Sequence, residues 1–351
     1  MILSADLHLR RTPPRARVDD YFAAQERKTR FILEQAQASP PLLVAGDFFH
    51  QPRPGEALLR WIIDLLNEYG VKPIVVPGQH DLPGHSLEQI GDSGLGVLAA
   101  AGVIDIVPNQ DTGKGPFYST PPYIDGLISV QSSGPDYVIF GCAYGQTPSK
   151  AIKDKNFINI LLWHHMVIQE PLWPGQEAER APAILRKYPQ FDIICVGDNH
   201  QSFALSEVNQ ISHPSIKPIT VSGRFLINPG STMRMTAAQV NHRPFVYRFQ
   251  AEEGGSILEP IPIPIETDVL DLSELEAARD KDGRIQAFVD KMKSYFDELE
   301  AELTPEQRRQ IALSGGGVGR RGPTFEQGLE QYFKKNETSK EVQELVWRCL
   351  E

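Results

Sequence analysis

Cysteine is scarce in this chain: three among 351 residues, an odd number without metal-ligand or paired disulfide spacing. Cys142 and Cys195 lie inside apolar runs and read as buried free thiols; Cys349 stands near the end. No apolar stretch approaches the roughly 20 residues that span a bilayer, so no membrane association is expected. A leader peptide is not expected either, because Met1-Ile2-Leu3-Ser4 reads as a strand that runs straight into polar residues. These absences point to a cytoplasmic protein. Positive charge is in the minority, 35 Lys and Arg against 45 Asp and Glu, a net charge of −10. That excludes a surface coated for nucleic acid, but a local basic groove is compatible with it. There is no internal repeat. The length suits one large domain with a smaller appendage.

What is present is a series of short apolar runs that end in Asp, His or amide residues. Ile2-Leu3-Ser4 leads to Asp6 and His8, and Val44-Ala45 leads to Gly46-Asp47-Phe48-Phe49-His50. Ile74-Val75-Val76 leads to Gly78-Gln79-His80-Asp81, Leu161-Leu162-Trp163 to His164-His165, and Ile194-Cys195-Val196 to Gly197-Asp198-Asn199-His200. Strand ends that converge on one rim are where open α/β sheets bind ligands. Carboxylates mixed with imidazole suit Mn²⁺, Fe²⁺, Zn²⁺ or Mg²⁺. Gly46, Gly78 and Gly197 precede the polar residues where backbone must turn in a crowded place. The pattern reads as a two-metal phosphoesterase, and no Ser-His-Asp arrangement competes with it.

Strand and helix periods alternate through residue 200. Helices are expected over Asp19–Ala38, closed by Ser39-Pro40-Pro41, and after Gly55, where Leu58, Leu59, Ile62, Ile63, Leu66 and Tyr69 share a face that Gly70 ends. Strands are expected over Lys72–Val76, Thr220–Ser222, Phe225–Ile227 and Phe245–Tyr247, with turns and short strands over 109–136. The fold class is α/β, with stacked β-sheets flanked by helices and a small helical C-terminal region. Pro260, Pro262 and Pro264 make an extended segment before a boundary, giving residues 1–267 as catalytic domain and 268–351 as helical region. Helices near 273–302 and 339–350 flank a glycine-rich linker at 314–323.

The set Asp6-x-His8, Gly46-Asp47-x-x-His50, Gly78-Gln79-His80-Asp81, His164 and Gly197-Asp198-x-His200 resembles the calcineurin-like metallophosphoesterase superfamily. Gly-Asp-Phe-Phe-His and Asn228-Pro229-Gly230-Ser231 are similar to segments of the SbcD-type DNA-repair exonucleases, especially phage and prophage versions. The resemblance covers about residues 1–250. It implies two divalent cations, Mn²⁺ foremost with Mg²⁺ or Fe²⁺ as alternatives, bridged by Asp47. Asp6, His8 and His200 complete one site; Gln79, His164 and Asp198 complete the other. It places His80 at the scissile phosphate as the catalytic imidazole, with Asp81 as its orienting group. His165 is expected behind the ligands, and His50, His85, His213 and His242 as structural or surface residues. Two positions depart from the usual pattern: Gln79 replaces an Asn, and Asp198 replaces the first His of a Gly-His-x-His. Both keep a side-chain oxygen, which favours harder metals.

The resemblance implies DNA as substrate and an SbcC-type ATPase as partner, with a homodimer possible. A basic rim agrees: Arg10, Arg11, Arg15, Arg17, Arg27, Lys28 and Arg30 follow the first motif, and Arg224, Arg234 and Arg243 surround Asn228–Ser231. The alternatives are a small-molecule phosphodiesterase or phosphatase and a DNA-binding scaffold subunit. The Gly-Asp-x-x-Asp-Arg-Gly and Gly-Asn-His-Glu signatures of protein phosphatases are absent. In the tail, Phe288, Met292, Tyr295 and Phe296, and later Leu345, Val346 and Leu350, fit a face that docks the ATPase coiled coil or packs on the catalytic domain.

Overall fold

The computed structural model describes residues 1–107, 123–124, 127–130, 136–148, 156–169, 178–207, 210–211, 218–221, 223–252 and 255–273. Beyond these it describes Ala277, Phe333, Lys334, Lys340 and Gln343. The chain divides into two compact units, Met1–Asp271 and Leu272–Glu351. The tail helices and glycine linker expected from the sequence lie almost wholly outside the described residues, as do His213 and Cys349.

The first unit is built on two mixed sheets. One has seven strands in the order Ile219–Val221, Gly255–Pro262, Phe245–Glu252, Ile2–Ser4, Leu42–Ala45, Ile74–Val76 and Asp105–Ile106. Its last four strands run parallel. Helices Tyr21–Ala38, Glu56–Tyr69 and Gly94–Ala100 make the crossovers that parallel neighbours require. The other sheet has eight strands centred on Ile193–Gly197, which is parallel to both Ile158–His164 and Phe225–Asn228.

Strand period explains the layering. Ile2, Val44 and Val75 pack against the helices, while Leu3, Leu43, Ala45 and Val76 face the second sheet. There they meet Ile160, Leu162, Ile193 and Cys195; the alternate residues Leu161, Trp163 and Ile194 pack outward on Ile184 and Leu185. Cys142 and Cys195 are buried thiols outside any disulfide, as expected. The result is the helix–sheet–sheet–helix sandwich read from the sequence.

Local signals set the helix ends. The Asp20 side chain accepts the Ala23 amide at 3.1 Å and caps the first helix. Gly70, with φ of 61°, ends the second, whose buried face is Leu58, Ile62, Leu65 and Leu66. Leu59, Ile63 and Tyr69 pack at that core's edge. Pro260 and Pro262 lie within a strand, beyond Ser256–Leu258 where the outer neighbour pairs. A missing N–H is tolerated where a strand has one open side.

Candidate metal centre

Five strand ends supply the centre. Asp6 and His8 follow Ile2–Ser4, Asp47 follows Leu42–Ala45, and Gln79 and His80 follow Ile74–Val76. His164 ends its own strand, and Asp198 and His200 follow Ile193–Gly197. Asp6, His8, Asp47 and Asp198 all have left-handed backbone, with φ of 47°, 46°, 48° and 83°. Such conformations in non-glycine residues cost free energy and cluster where side chains must point to one place. Gly78 is required by close approach: a Cβ there would strike the Asp47 carboxylate and backbone N. At Gly46 it would strike the His164 ring.

The loops are tied together by hydrogen bonds to their backbone. Asp81, fully buried, accepts Phe48 N at 3.1 Å, Phe49 N at 2.8 Å and Gly78 N at 2.9 Å. It latches the Asp47 loop to the Gln79 loop. The sequence expectation that Asp81 orients His80 is corrected, because His80 Nδ1 donates instead to the His50 carbonyl at 2.9 Å. Asn228 holds the His200 loop, donating to Asn199 O at 2.5 Å and Gln201 O at 3.0 Å. Ser231 N donates to His200 O at 3.1 Å.

Acceptor atoms left without a donor converge inside this frame. Asp6 Oδ1 takes the Asp198 amide at 3.1 Å and Asp47 Oδ1 the His80 amide at 2.9 Å, but Asp6 Oδ2 and Asp47 Oδ2 are buried without a partner. His164 Nδ1 donates to Ala45 O at 2.7 Å, so its Nε2 is a lone pair, and Gln79 Oε1 lies 2.6 Å from it. Turning the amide over would set its oxygen against Asp198, which now accepts Gln79 Nε2 at 2.7 Å. His8 Nε2 lies 3.1 Å from His200 Nε2 and 3.6 Å from Asp47 Oδ2. His164 Nε2 is 3.5 Å from the same oxygen. Burial pushes the Asp47 carboxyl up to about 9 and lowers His164 to about 4. Asp6 is raised and His8 and His200 lowered by the same cause. Both trends oppose charge in an empty, low-dielectric site, and a dication reverses the first and exploits the second.

The residues therefore fit divalent cations. Ligand atoms of Asp6, His8 and His200 lie within 4.8 Å of one another, and so do those of Asp6, Asp47 and His164. Gln79 reaches His164, and Asp198 stands behind Gln79.

Three placements differ from expectation. His50 sits at the site, its ring stacked 5.2 Å from His80 and 5.6 Å from His8; its position three residues after Asp47, on the same loop, was the available signal. His165 turns away, stacking on Trp163 at 4.2 Å and bonding Glu179 at 2.9 Å. The basic rim is largely consumed by structure. Arg17 bonds Asp19 and Arg234 O, Arg27 and Lys28 pair with Glu266, and Arg30 with Glu26 and Glu68. Arg224 bonds Leu185 O and Tyr188 O, and Arg234 is buried. Arg10 and Arg11 line a cavity of about 340 Å³ together with Thr12, His50 and Gln51, with Arg10 Nε donating to Thr12 O at 2.6 Å and the Arg11 guanidinium 4.3 Å from the centre of the Phe22 ring. His242 bonds Ser231 as a structural residue.

A family model described as calcineurin-like phosphoesterase matches residues 2–202. No curated protein matches the chain. Among solved structures, a 5'-nucleotidase precursor from Thermus thermophilus aligns at 14% identity and a TM-score of 0.42, covering 82% of this chain. The NAD nucleotidase of Haemophilus influenzae aligns at 16% and 0.40, covering 77%. The chain covers 58% and 49% of those two proteins, about half their length. No described helix is long and apolar enough to cross a membrane.

Proposed function

The chain belongs to the calcineurin-like phosphoesterase family, and we propose that this metal-dependent hydrolase cleaves phosphodiesters of DNA, in company with an SbcC-type ATPase. The observation that carries the hydrolytic reading is the convergence of acceptor atoms that no hydrogen-bond donor reaches. Asp6 Oδ2, Asp47 Oδ2, His164 Nε2 and Gln79 Oε1 face one another in a buried place.

Asp6, His8, His200 and Asp47 would hold one cation, and Asp47, Gln79 and His164, with Asp198 bracing the amide, the other. Bound dications supply Lewis acidity toward the phosphoryl oxygens and lower the pKa of water, with Mn²⁺ favoured by the oxygen-rich donors. His80 has its Nδ1 proton committed to the His50 carbonyl, so Nε2 is the nitrogen left to act, and it would deliver a proton to the leaving oxygen from the imidazolium form, returning to the neutral ring. The stacked His50 ring fixes the plane of His80.

DNA is supported by the Gly-Asp-Phe-Phe-His and Asn-Pro-Gly-Ser segments and by Arg10 and Arg11 in the cavity beside His50. Arginine beside a phosphoester site binds backbone phosphate. The test incubates the full chain and Mn²⁺ with end-labelled linear DNA and, separately, a chromogenic phosphodiester. Cleavage of DNA is expected; turnover of the small ester alone would assign the protein to small phosphoesters, and retention of DNA without cleavage to a scaffold.

A further inference from the structure

Among the described residues, four large apolar side chains are conspicuously exposed: Val18, Val97, Tyr144 and Met166. Two of the four flank the metal centre. Tyr144 lies 6.4 Å, ring to ring, from His164 and 5.9 Å from His85. Met166 follows His164 by two residues.

Hydrogen bonds of the backbone fix Tyr144 in place. Its N–H donates to Pro77 O at 3.0 Å, directly before Gly78-Gln79. The turn beneath it is closed twice, by Gln146 N to Ala143 O at 3.1 Å and Ala143 N to Gln146 Oε1 at 3.1 Å. Gly145 supplies the left-handed residue, with φ of 76°. A fixed backbone thus presents Tyr144, 37% exposed as a residue, beside the His164 ring. An exposed aromatic face beside a phosphoester site is matched by a flat π-surface attached to that phosphate.

We propose that Tyr144 is a stacking platform for the nucleobase next to the scissile phosphate, with Met166 at its margin. The inference rests on the DNA reading above and adds a base-binding subsite to it. Stacking of this kind tolerates every base, because each has a π-face. It contrasts with the Arg10 and Arg11 cavity, which addresses phosphate.

The test uses the full chain with Mn²⁺ and a single-stranded oligonucleotide, intact or carrying abasic residues on both sides of one cleavable phosphate. Tyr144→Ala is expected to lower kcat/KM on intact DNA by about 5- to 150-fold. Wild type should lose a similar factor on abasic DNA, where Tyr144→Ala adds nothing further, and Tyr144→Trp should behave as wild type on both. Equal loss by Tyr144→Ala on both substrates would overturn the platform and make the residue a prop for His164. Binding of a 2-aminopurine oligonucleotide keeps this claim separate from the one it rests on. Quenching by wild type that Tyr144→Ala abolishes supports the platform even if no DNA is cut; quenching unchanged by Tyr144→Ala, or absent from wild type, overturns it even if DNA is cut.

Discussion

Replacing Asp81 distinguishes a latch from a group that orients His80. Its carboxylate accepts three buried N–H groups, from Phe48, Phe49 and Gly78, and each charged hydrogen bond contributes about 1.5–3 kcal/mol. Burial opposes this, raising the carboxyl to about 7 from an ordinary 3.8 although those hydrogen bonds hold it down. Asp81→Ala removes the buried carboxylate together with the bonds and strands three N–H groups at roughly 1–3 kcal/mol each. A loss of about 3–9 kcal/mol follows, which for a unit of this size lowers Tm by about 6–36 °C. Asp81→Asn keeps one acceptor oxygen and turns an NH₂ toward an N–H, so its loss falls between wild type and alanine. Thermal melts with and without EDTA measure the stability, and a Mn²⁺ titration reads the affinity, which should fall because the Asp47 and Gln79 loops separate. If Asp81→Ala melts within about 2 °C of wild type while turnover collapses, Asp81 serves His80 and the latch is refuted.

His80→Asn is expected to keep full metal stoichiometry while turnover falls about 100- to 10,000-fold; His200→Ala should lose metal and activity together, as elemental analysis beside kinetics will show. In metal-free protein the raised carboxyls of Asp6 and Asp47 stabilise the fold fully below about pH 4, and that contribution is lost as pH rises, for Asp47 through about 9. The lowered histidines contribute a constant amount above about pH 7. Stripped protein should thus melt lower at about pH 8.5 than at about pH 7, and Mn²⁺ should raise Tm more at the higher pH; a metal-induced shift that shrinks with pH contradicts the assignment. Gln79→Asn and Asp198→His should each weaken Mn²⁺ binding, while the double variant recovers part of the loss, with a coupling of about 0.5–3 kcal/mol in a double-mutant cycle; strict additivity would show that the two side chains act separately.

The strand ends were legible because period and punctuation agree there: a two-residue alternation stops, a glycine turns the chain, and a polar residue follows. The sandwich followed from the same alternation, since Ile2 and Leu3 must face different layers. Individual partners were not legible. Asp81 stands next to His80 in sequence, yet its oxygens reach 32 and 33 residues back to Phe49 and Phe48, a pairing that only the stacking of parallel strands creates. The basic rim failed for a related reason. A run of arginines in sequence says nothing of Glu266, which lies far along the chain and neutralises Arg27 and Lys28.

The two departures from the family's usual pattern become one feature in three dimensions. A side-chain amide presents its oxygen to a cation only if something takes its N–H groups, because the two ends of the amide are otherwise free to exchange. Gln79 meets that condition through Asp198 Oδ1 at 2.7 Å, which leaves Oε1 aimed at His164. An imidazole at position 198 would serve as acceptor only in one tautomer, whereas a carboxylate accepts in any rotamer that reaches. The longer Gln arm and the carboxylate thus suit one another, and each alone fits poorly. Asp198 also lies outside the clusters of His and acidic ligand atoms at this centre, as a residue would whose oxygen is already engaged by the amide. On this geometry the retained oxygen at position 198 would act by orienting Gln79, and a second cation would be held through Asp47, His164 and the amide it sets.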